Sequence, residues 1–366
     1  MTADTSARPS AADSTGFFLA SVACSCAAVA LAILGLLELD IPLTKFVRSL
    51  YHPVGYLPNP WLASFSDIGD RLGRGESLVA ISLLILFAGV WLKRANVKLA
   101  GWQTLVAHGI VAALSNLIKH AVGRPRPKFI HTGAVDLSPF GGSGWDSFPS
   151  GHATSAVAIA AVLAIRFPKW RWIFIGTAIA IAASRILRGA HFLTDTVGGA
   201  ALGWLVGVVA GHPWRLWRSS LGSAVASLAP FCVGASAAIW VMGHASPVQW
   251  PGPQLVLGGF LMAILALAGY VWLVLRPMSI QSPLSKQTFK ELIGMGLAMA
   301  TGSAWITAAA LCVCLAAWLR PRIVEPVSAN GGMAGDRAPA EAAVFCLLVL
   351  FGLWASQEMR GLLPLP

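Results

Sequence analysis

Charge is what this sequence has least of. Only 11% of its 366 residues are Asp, Glu, Lys or Arg, where a soluble domain carries about 25%, and the mean hydropathy is +0.71. This excludes a soluble globular domain as the main form of the chain. Carboxylates are scarcer than cations, 15 against 26, and they do not cluster as a metal-assisted hydrolase would require. The net charge of +11 would suit nucleic acid. The Lys and Arg residues, however, sit in short connectors and three short motifs, not in one dense basic face, so nucleic acid is not an expected partner. Cysteine offers no framework either. Cys24, Cys26, Cys232, Cys312, Cys314 and Cys346 all lie in apolar stretches, and Cys312-Val313-Cys314 lacks both metal-ligand spacing and histidine neighbours. They read as small packing residues, with no disulfide implied.

Long apolar runs are what the sequence has in abundance. Spanning hydrocarbon takes roughly 20 apolar residues, and on that measure the sequence predicts ten helices. Six fall at about 16–37, 76–92, 99–120, 152–167, 170–188 and 191–211, and four more at about 222–243, 253–275, 291–319 and 341–357. Unpaired backbone groups are not tolerated in lipid, so the fold class is all-α, a polytopic membrane helix bundle. The expected domains are a six-helix region over 1–221 and a C-terminal four-helix region over 222–366. The run after residue 15 is too long for a cleaved signal core and reads as an uncleaved membrane helix. Val22-Ala23-Cys24 lacks the leucine of a lipoprotein site, since Ser21 stands there.

Basic connectors alternate with non-basic ones. Lys93, Arg94 and Lys98, then Arg166, Lys169 and Arg171, then Arg215 and Arg218, then Arg276, Lys286 and Lys290 occupy every second connector. Those face the cytoplasm by the positive-inside rule, which puts both termini there too. The connector 244–252 has no Lys or Arg, as an outer loop should. Trp170, Trp172, Trp214 and Trp217 flank basic connectors as interfacial anchors. The Pro-containing segment 38–75 reads as a short interfacial helix and loops, either a passive connector or a cap over a site. The segment 320–340 reads as a flexible outer loop.

Two basic stretches, 121–151 and 184–191, break the alternation, and both carry chemistry. Lys119 ends the third helix, His152 begins the fourth, Arg185 nears the end of the fifth and His191 begins the sixth. Helix parity puts all four at one membrane face. Pro125 and Pro127 prevent the third helix from continuing, so the chain bends and Arg126 can return towards Lys119. Ser150 is placed to cap the fourth helix. The free N–H groups at that end favour an anion, and Gly151 permits close backbone approach. Gly189 offers the break that lets Arg185 and His191 converge. His191 and Asp195 are i,i+4, so Asp195 can hold one imidazole nitrogen and leave the other free to attack. Arg124 suits phosphate binding and an interfacial role equally well. His108 and His120 fit no such pattern and read as structural.

Lys119-(six residues)-Arg126-Pro127, Pro149-Ser150-Gly151-His152 and Ser184-Arg185-(five residues)-His191-(three residues)-Asp195 together resemble the tripartite signature of the type 2 phosphatidic acid phosphatase superfamily. That superfamily also includes vanadium haloperoxidases and bacterial acid phosphatases, and no motif position is altered here. The resemblance covers about 16–211 and points to the integral-membrane lipid phosphatase branch. It implies that His191 is the nucleophile forming a phosphohistidine, that Asp195 orients it, and that His152 is the general acid. It implies further that Lys119, Arg126 and Arg185, with Ser150 and Gly151, hold the phosphate, with no metal or other cofactor. The expected substrate is a lipid phosphate or pyrophosphate of the undecaprenyl pyrophosphate, phosphatidylglycerophosphate, phosphatidic acid or lipid A type. It would be cleaved at the outer (periplasmic) face of a bacterial inner membrane. The alternatives are a phosphotransferase using the same site and a non-catalytic membrane scaffold or transporter. The last four predicted helices have no ionisable residue at mid-membrane depth, which speaks against a transport path there.

Overall fold

In a computed structural model, the described residues are 11–52, 58–129, 137–244, 251–275, 286–319, 338–363 and 365. Among them there is no strand. The helices are α1 (Ala11–Tyr51), α2 (Pro60–Gly73), α3 (Gly75–Trp91), α4 (Ala95–Val122), α5 (Gly151–Arg166), α6 (Arg171–Leu187), α7 (Leu193–Gly211), α8 (Trp217–Gly243), α9 (Gly252–Leu275), α10 (Lys286–Met299), α11 (Ala304–Leu319) and α12 (Ala338–Glu358). Among the described residues, six helices are long and apolar enough to cross a membrane, or seven if α2 and α3, bent by 60°, count as one broken span. The protein is an integral membrane protein. Most of the expected outer loop 320–340 and connector 244–252, together with Arg276, lies outside the described residues.

The chain forms two compact units, Leu36–Leu228 and a second comprising the described residues up to Gly35 together with Ala229–Leu363. In the first unit, α5 is packed by α4, α6 and α7. Its residues Ala153, Ala156, Ala158, Ala160 and Ala161 are small and buried. On α7 the glycines recur every fourth position. A Cβ on Gly203 would lie 2.3 Å from the Thr154 carbonyl oxygen, and one on Gly207 would lie 2.4 Å from that of Ala158. In lipid, where apolar burial does not drive helix pairing, such small-residue faces let two backbones touch. This contact sets the start of α5 against the start of α7.

The sequence reading of 38–75 needs correcting at its start. Helix α1 continues through Pro42 to Tyr51 instead of stopping near 37. Proline removes the one donor that would reach the Glu38 carbonyl but need not end a helix, and this one runs on for nine more residues to Tyr51. Helix α2 is the short helix expected within this segment. Asn59 caps it by accepting from the N–H groups of Trp61 and Leu62, and Pro60 occupies its first turn. Trp61, Phe65, Ile68 and Leu72 form an exposed apolar stripe, while Ser66, Gly69 and Gly73 are buried on another side. That side packs on α6.

In the second unit the expected helix over 291–319 is two helices. Thr301-Gly302-Ser303 interrupts it, with Gly302 at φ +79°. Ser303 then restarts the helix by accepting from the Ile306 N–H at 3.4 Å. Arg360 donates to the carbonyls of Ala300 and Thr301, which satisfies the end of α10. The unit's cores are apolar, one around Ala32, Trp240 and Ile306 and another around Tyr270, Ile293 and Leu353.

Candidate active site

The first motif begins where α4 ends. Gly123 takes φ +57° and donates to the Lys119 carbonyl. A side chain there would also run into the Ser138 carbonyl, 1.8 Å from the would-be Cβ. Residues 138–147 then run back along the motif, with Ser138 N–H donating to Gly123, Ser147 N–H to Arg124, and Arg126 N–H to Gly144. This return brings Asp146 to two motif cations. Arg126 grips its carboxylate through Nε at 2.8 Å and Nη2 at 2.6 Å, and Lys119 Nζ lies 3.9 Å away. The Arg126 hydrogen bonds hold the Asp146 carboxyl below the usual range, against the opposing effect of burial. It is therefore ionised at neutral pH.

The second motif opens α5. Ser150 stands at the N-cap with extended backbone, but its hydroxyl makes no capping bond, contrary to the sequence expectation. Its N–H donates to the Asp195 carbonyl at 3.0 Å, which ties the start of α5 to α7. Ser150 Oγ is buried and has no hydrogen-bond partner. Gly151 and His152 follow as the first two residues of α5.

The third motif spans the turn from α6 to α7. Gly189 takes φ +65°, and the N–H groups of Ala190 and His191 fold back onto the Arg185 carbonyl. His191 therefore lies in the connector, not on a helix, and the i,i+4 reasoning is corrected. Helix α7 starts at Leu193, and Asp195, in its first turn, reaches back to accept the Phe192 N–H at 2.9 Å. His191 Nδ1 lies 3.7 Å from Asp195 Oδ2, an ion-pair distance longer than a hydrogen bond. Burial holds the His191 imidazole below its ordinary pKa, leaving it neutral.

Two side chains outside the three motifs complete the frame. Asp70 of α2 accepts from Arg185 Nη1 and from Arg74 at 3.0 Å, and its Oδ1 lies 3.5 Å from His152 Nε2. Glycine makes this possible, since a Cβ on Gly69 would collide with Ser184 and one on Gly73 would lie 2.6 Å from the His152 ring. Asp40 of α1 accepts from Arg124 Nη2 at 2.6 Å and from the Thr194 N–H and hydroxyl. Arg124 also donates to Asp195 Oδ1 at 2.6 Å and lies 4.4 Å above the Phe192 ring. Ser147 donates to Asp195 Oδ2 at 2.5 Å. Arg124 thus neither faces the interface nor reaches a phosphate site; it is a buried tie between two carboxylates. The sequence reading missed Asp40, Asp70, Asp146 and Ser147. For Asp40 a signal existed, namely a carboxylate between the apolar Leu39 and Ile41.

The motif residues share one electrostatic neighbourhood. Lys119 and Arg126 both act on His191, and Arg185 and His191 both act on His152. Eight buried side-chain polar atoms lack a hydrogen-bond partner among the described residues, and four of them are Ser150 Oγ, His152 Nε2, Arg185 Nε and His191 Nδ1. Native interiors leave few such atoms unpaired without a functional reason. Chemically, the arrangement offers cations for a tetrahedral anion, a neutral imidazole and a second imidazole nearby.

Asp146 also gives a direct expectation. Its ionised carboxylate sits where Lys119 and Arg126 would meet an incoming anion, so Asp146→Asn should bind inorganic phosphate several-fold more tightly. Product-inhibition constants at pH 7 would show this, and an unchanged constant would rule out the competition.

Such a site, on membrane helices, defines a membrane phosphoesterase. The family model described as the PAP2 superfamily matches residues 100–219. A lipid A 1-phosphatase of Rhizobium etli is 37% identical over 170 residues, covering 41% of this chain and 71% of that protein. The phosphatidylglycerophosphatase B of Bacillus subtilis is 30% identical over 158 residues, covering 40% and 72%. The chain belongs to the PAP2 superfamily, a family of phosphoesterases whose relatives here are named as phosphatases of lipid phosphates. A crystal structure of a transmembrane PAP2-type phosphatidylglycerolphosphate phosphatase from Bacillus subtilis has a TM-score of 0.38 at 22% identity, covering 54% of this chain and 94% of that one.

Proposed function

We propose that this protein is a metal-independent lipid phosphate or pyrophosphate phosphatase acting through a phosphohistidine. The observation that carries this reading is the set of unpaired polar atoms on Ser150, His152, Arg185 and His191, gathered beside Lys119 and Arg126. Lys119, Arg126, Arg185, Ser150 Oγ and the Gly151 N–H hold the phosphate oxygens. Asp195, 3.7 Å from His191 Nδ1 in the structure, closes on that N–H when substrate is bound, which leaves Nε2 to attack phosphorus. His152 takes up a proton together with the incoming phosphate, and as the P–O bond to the lipid breaks it gives that proton to the leaving oxygen. Water then attacks the phosphohistidine, returning a proton to His152 and releasing inorganic phosphate and free His191. Positioning and charge stabilisation are the main needs of phosphoryl transfer, and three cations beside a helix start supply both.

The basic connectors support cytoplasmic termini and an active site at the outer face of a bacterial-type inner membrane. The relatives' names favour lipid A, phosphatidylglycerophosphate or undecaprenyl diphosphate as substrate types, and phosphatidic acid shares the same chemistry. We assign the chemistry to residues 1–221 and a separate role to 222–366.

Purified full-length protein, in detergent with EDTA, should release phosphate from at least one lipid of that panel. Release that needs an added lipid or sugar acceptor would identify a transferase instead. Release abolished by EDTA and restored by a divalent ion would overturn the metal-independent mechanism.

A further inference from the structure

A pocket of about 340 Å³ opens beside the phosphate-binding cations, and Arg126 and Arg185 form part of its wall. Three more cations line it, Arg48 from the last turn of α1, Lys128 just after the first motif, and Arg188 after α6, whereas no Asp or Glu among the described residues does. Most of this charge is already balanced from outside the lining. Asp146 holds Arg126, Asp70 holds Arg185, and Arg188 pairs with Asp67 at 2.9 Å and Asp70 at 3.7 Å. Arg48 and Lys128 have no ion pair with any described carboxylate, and Lys128 lies over the Phe129 ring at 4.7 Å. Tyr51 and Thr44 add hydroxyl groups to the same wall.

We propose that this pocket is a second-anion subsite, in which Arg48 and Lys128 bind a further phosphate or similar anionic group of the lipid substrate beside the scissile phosphate. The position of the scissile phosphate rests on the phosphatase reading above. Two cations with no ion pair to a described carboxylate, both in the wall of a pocket, favour a ligand of matching charge. The volume exceeds what one phosphate fills, since a whole water molecule takes only about 30 Å³ of liquid. A lipid with one isolated phosphate would leave Arg48 and Lys128 without a counter-charge. A diphosphate, or a headgroup with a second phosphate a few bonds away, would satisfy them. The site is thus selective for substrates with two anionic groups.

The test uses non-hydrolysable probes and needs no turnover. Binding of methylphosphonate, methylenediphosphonate and propane-1,3-diyl bisphosphonate to purified full-length protein is measured by calorimetry. At least one bisphosphonate should bind roughly tenfold more tightly than methylphosphonate, the scale of a charged hydrogen bond. Preference for the one-carbon link points to diphosphate substrates, and preference for the three-carbon link to a second phosphate further along the headgroup. The pair Arg48→Ala with Lys128→Ala, both at exposed positions, should reduce the preference to less than about threefold with an unchanged unfolding midpoint. Equal binding of all three probes, or a preference that survives the double substitution, overturns the subsite. The same protein is assayed for phosphate release from lipid phosphates. Selective binding without hydrolysis would remove the phosphatase reading and keep the subsite, and hydrolysis without selectivity would do the reverse.

Discussion

His191→Ala is expected to reduce phosphate release by at least about a thousandfold, the scale seen when a covalent nucleophile is removed. The protein should stay folded, because His191 sits in the connector before α7 and its Nδ1 makes no hydrogen bond in the structure. His152→Ala should behave differently. With an alkyl phosphate the loss should be about 10²–10⁴-fold, as expected for a missing general acid. With p-nitrophenyl phosphate, whose leaving group needs no proton, the first step should survive. Phosphorylated protein should then accumulate, because His152 is also needed to activate the water. Labelling with radioactive p-nitrophenyl phosphate, quenched in alkaline detergent because the P–N bond of a phosphohistidine breaks in acid, distinguishes the two, with no label in His191→Ala and persistent label in His152→Ala. Undiminished release by His191→Ala would end the phosphohistidine mechanism.

The second large effect is on stability. Arg124 is buried between Asp40 and Asp195, both of which are almost fully enclosed, at 2% and 0% exposure. Removing the cation of a buried network strands its carboxylates and typically costs about 3–5 kcal/mol. Arg124→Leu should therefore lower the unfolding midpoint in detergent markedly and abolish turnover. Arg124→Leu combined with Asp40→Leu should recover part of the stability, because one stranded charge is gone. Turnover should stay low, because Asp195 still lacks its clamp. If the single variant unfolds at the native midpoint, the network does not hold the site together. Arg124→Lys should not substitute, because a single ammonium cannot reach both carboxylates in the forked geometry of a guanidinium.

Those expectations mark the boundary of what the sequence discloses. The membrane class was legible because apolar runs of about twenty residues match the thickness of a bilayer and little else in a folded chain. The motif residues were legible because their spacing resembles a known signature and because charge at membrane edges calls for a reason. The partners of those residues were not. Asp70 reaches Arg185 only because Gly69 and Gly73 let α2 press against α6 and the His152 ring, a tertiary contact that no local pattern announces. Asp40 was hidden because the first helix was expected to stop near residue 37, whereas α1 runs on to Tyr51 and carries Asp40 to Arg124. Asp146 depends on residues 138–147 folding back along the first motif. Arg124 offered two readings from sequence, and burial between two carboxylates supports neither. The relation of His191 to Asp195 was expected for the wrong local reason, since a helix N-terminus and not a shared helical face brings them together.

Asp146 and Asp70 already rest on the cations that would receive phosphate. Under the proposed mechanism these two carboxylates would return to the guanidinium groups as inorganic phosphate departs, so the cations would not be left without a counter-charge. Product expulsion is then an exchange of one anion for another already tethered nearby. An enzyme built this way would remain unclogged where free phosphate is plentiful.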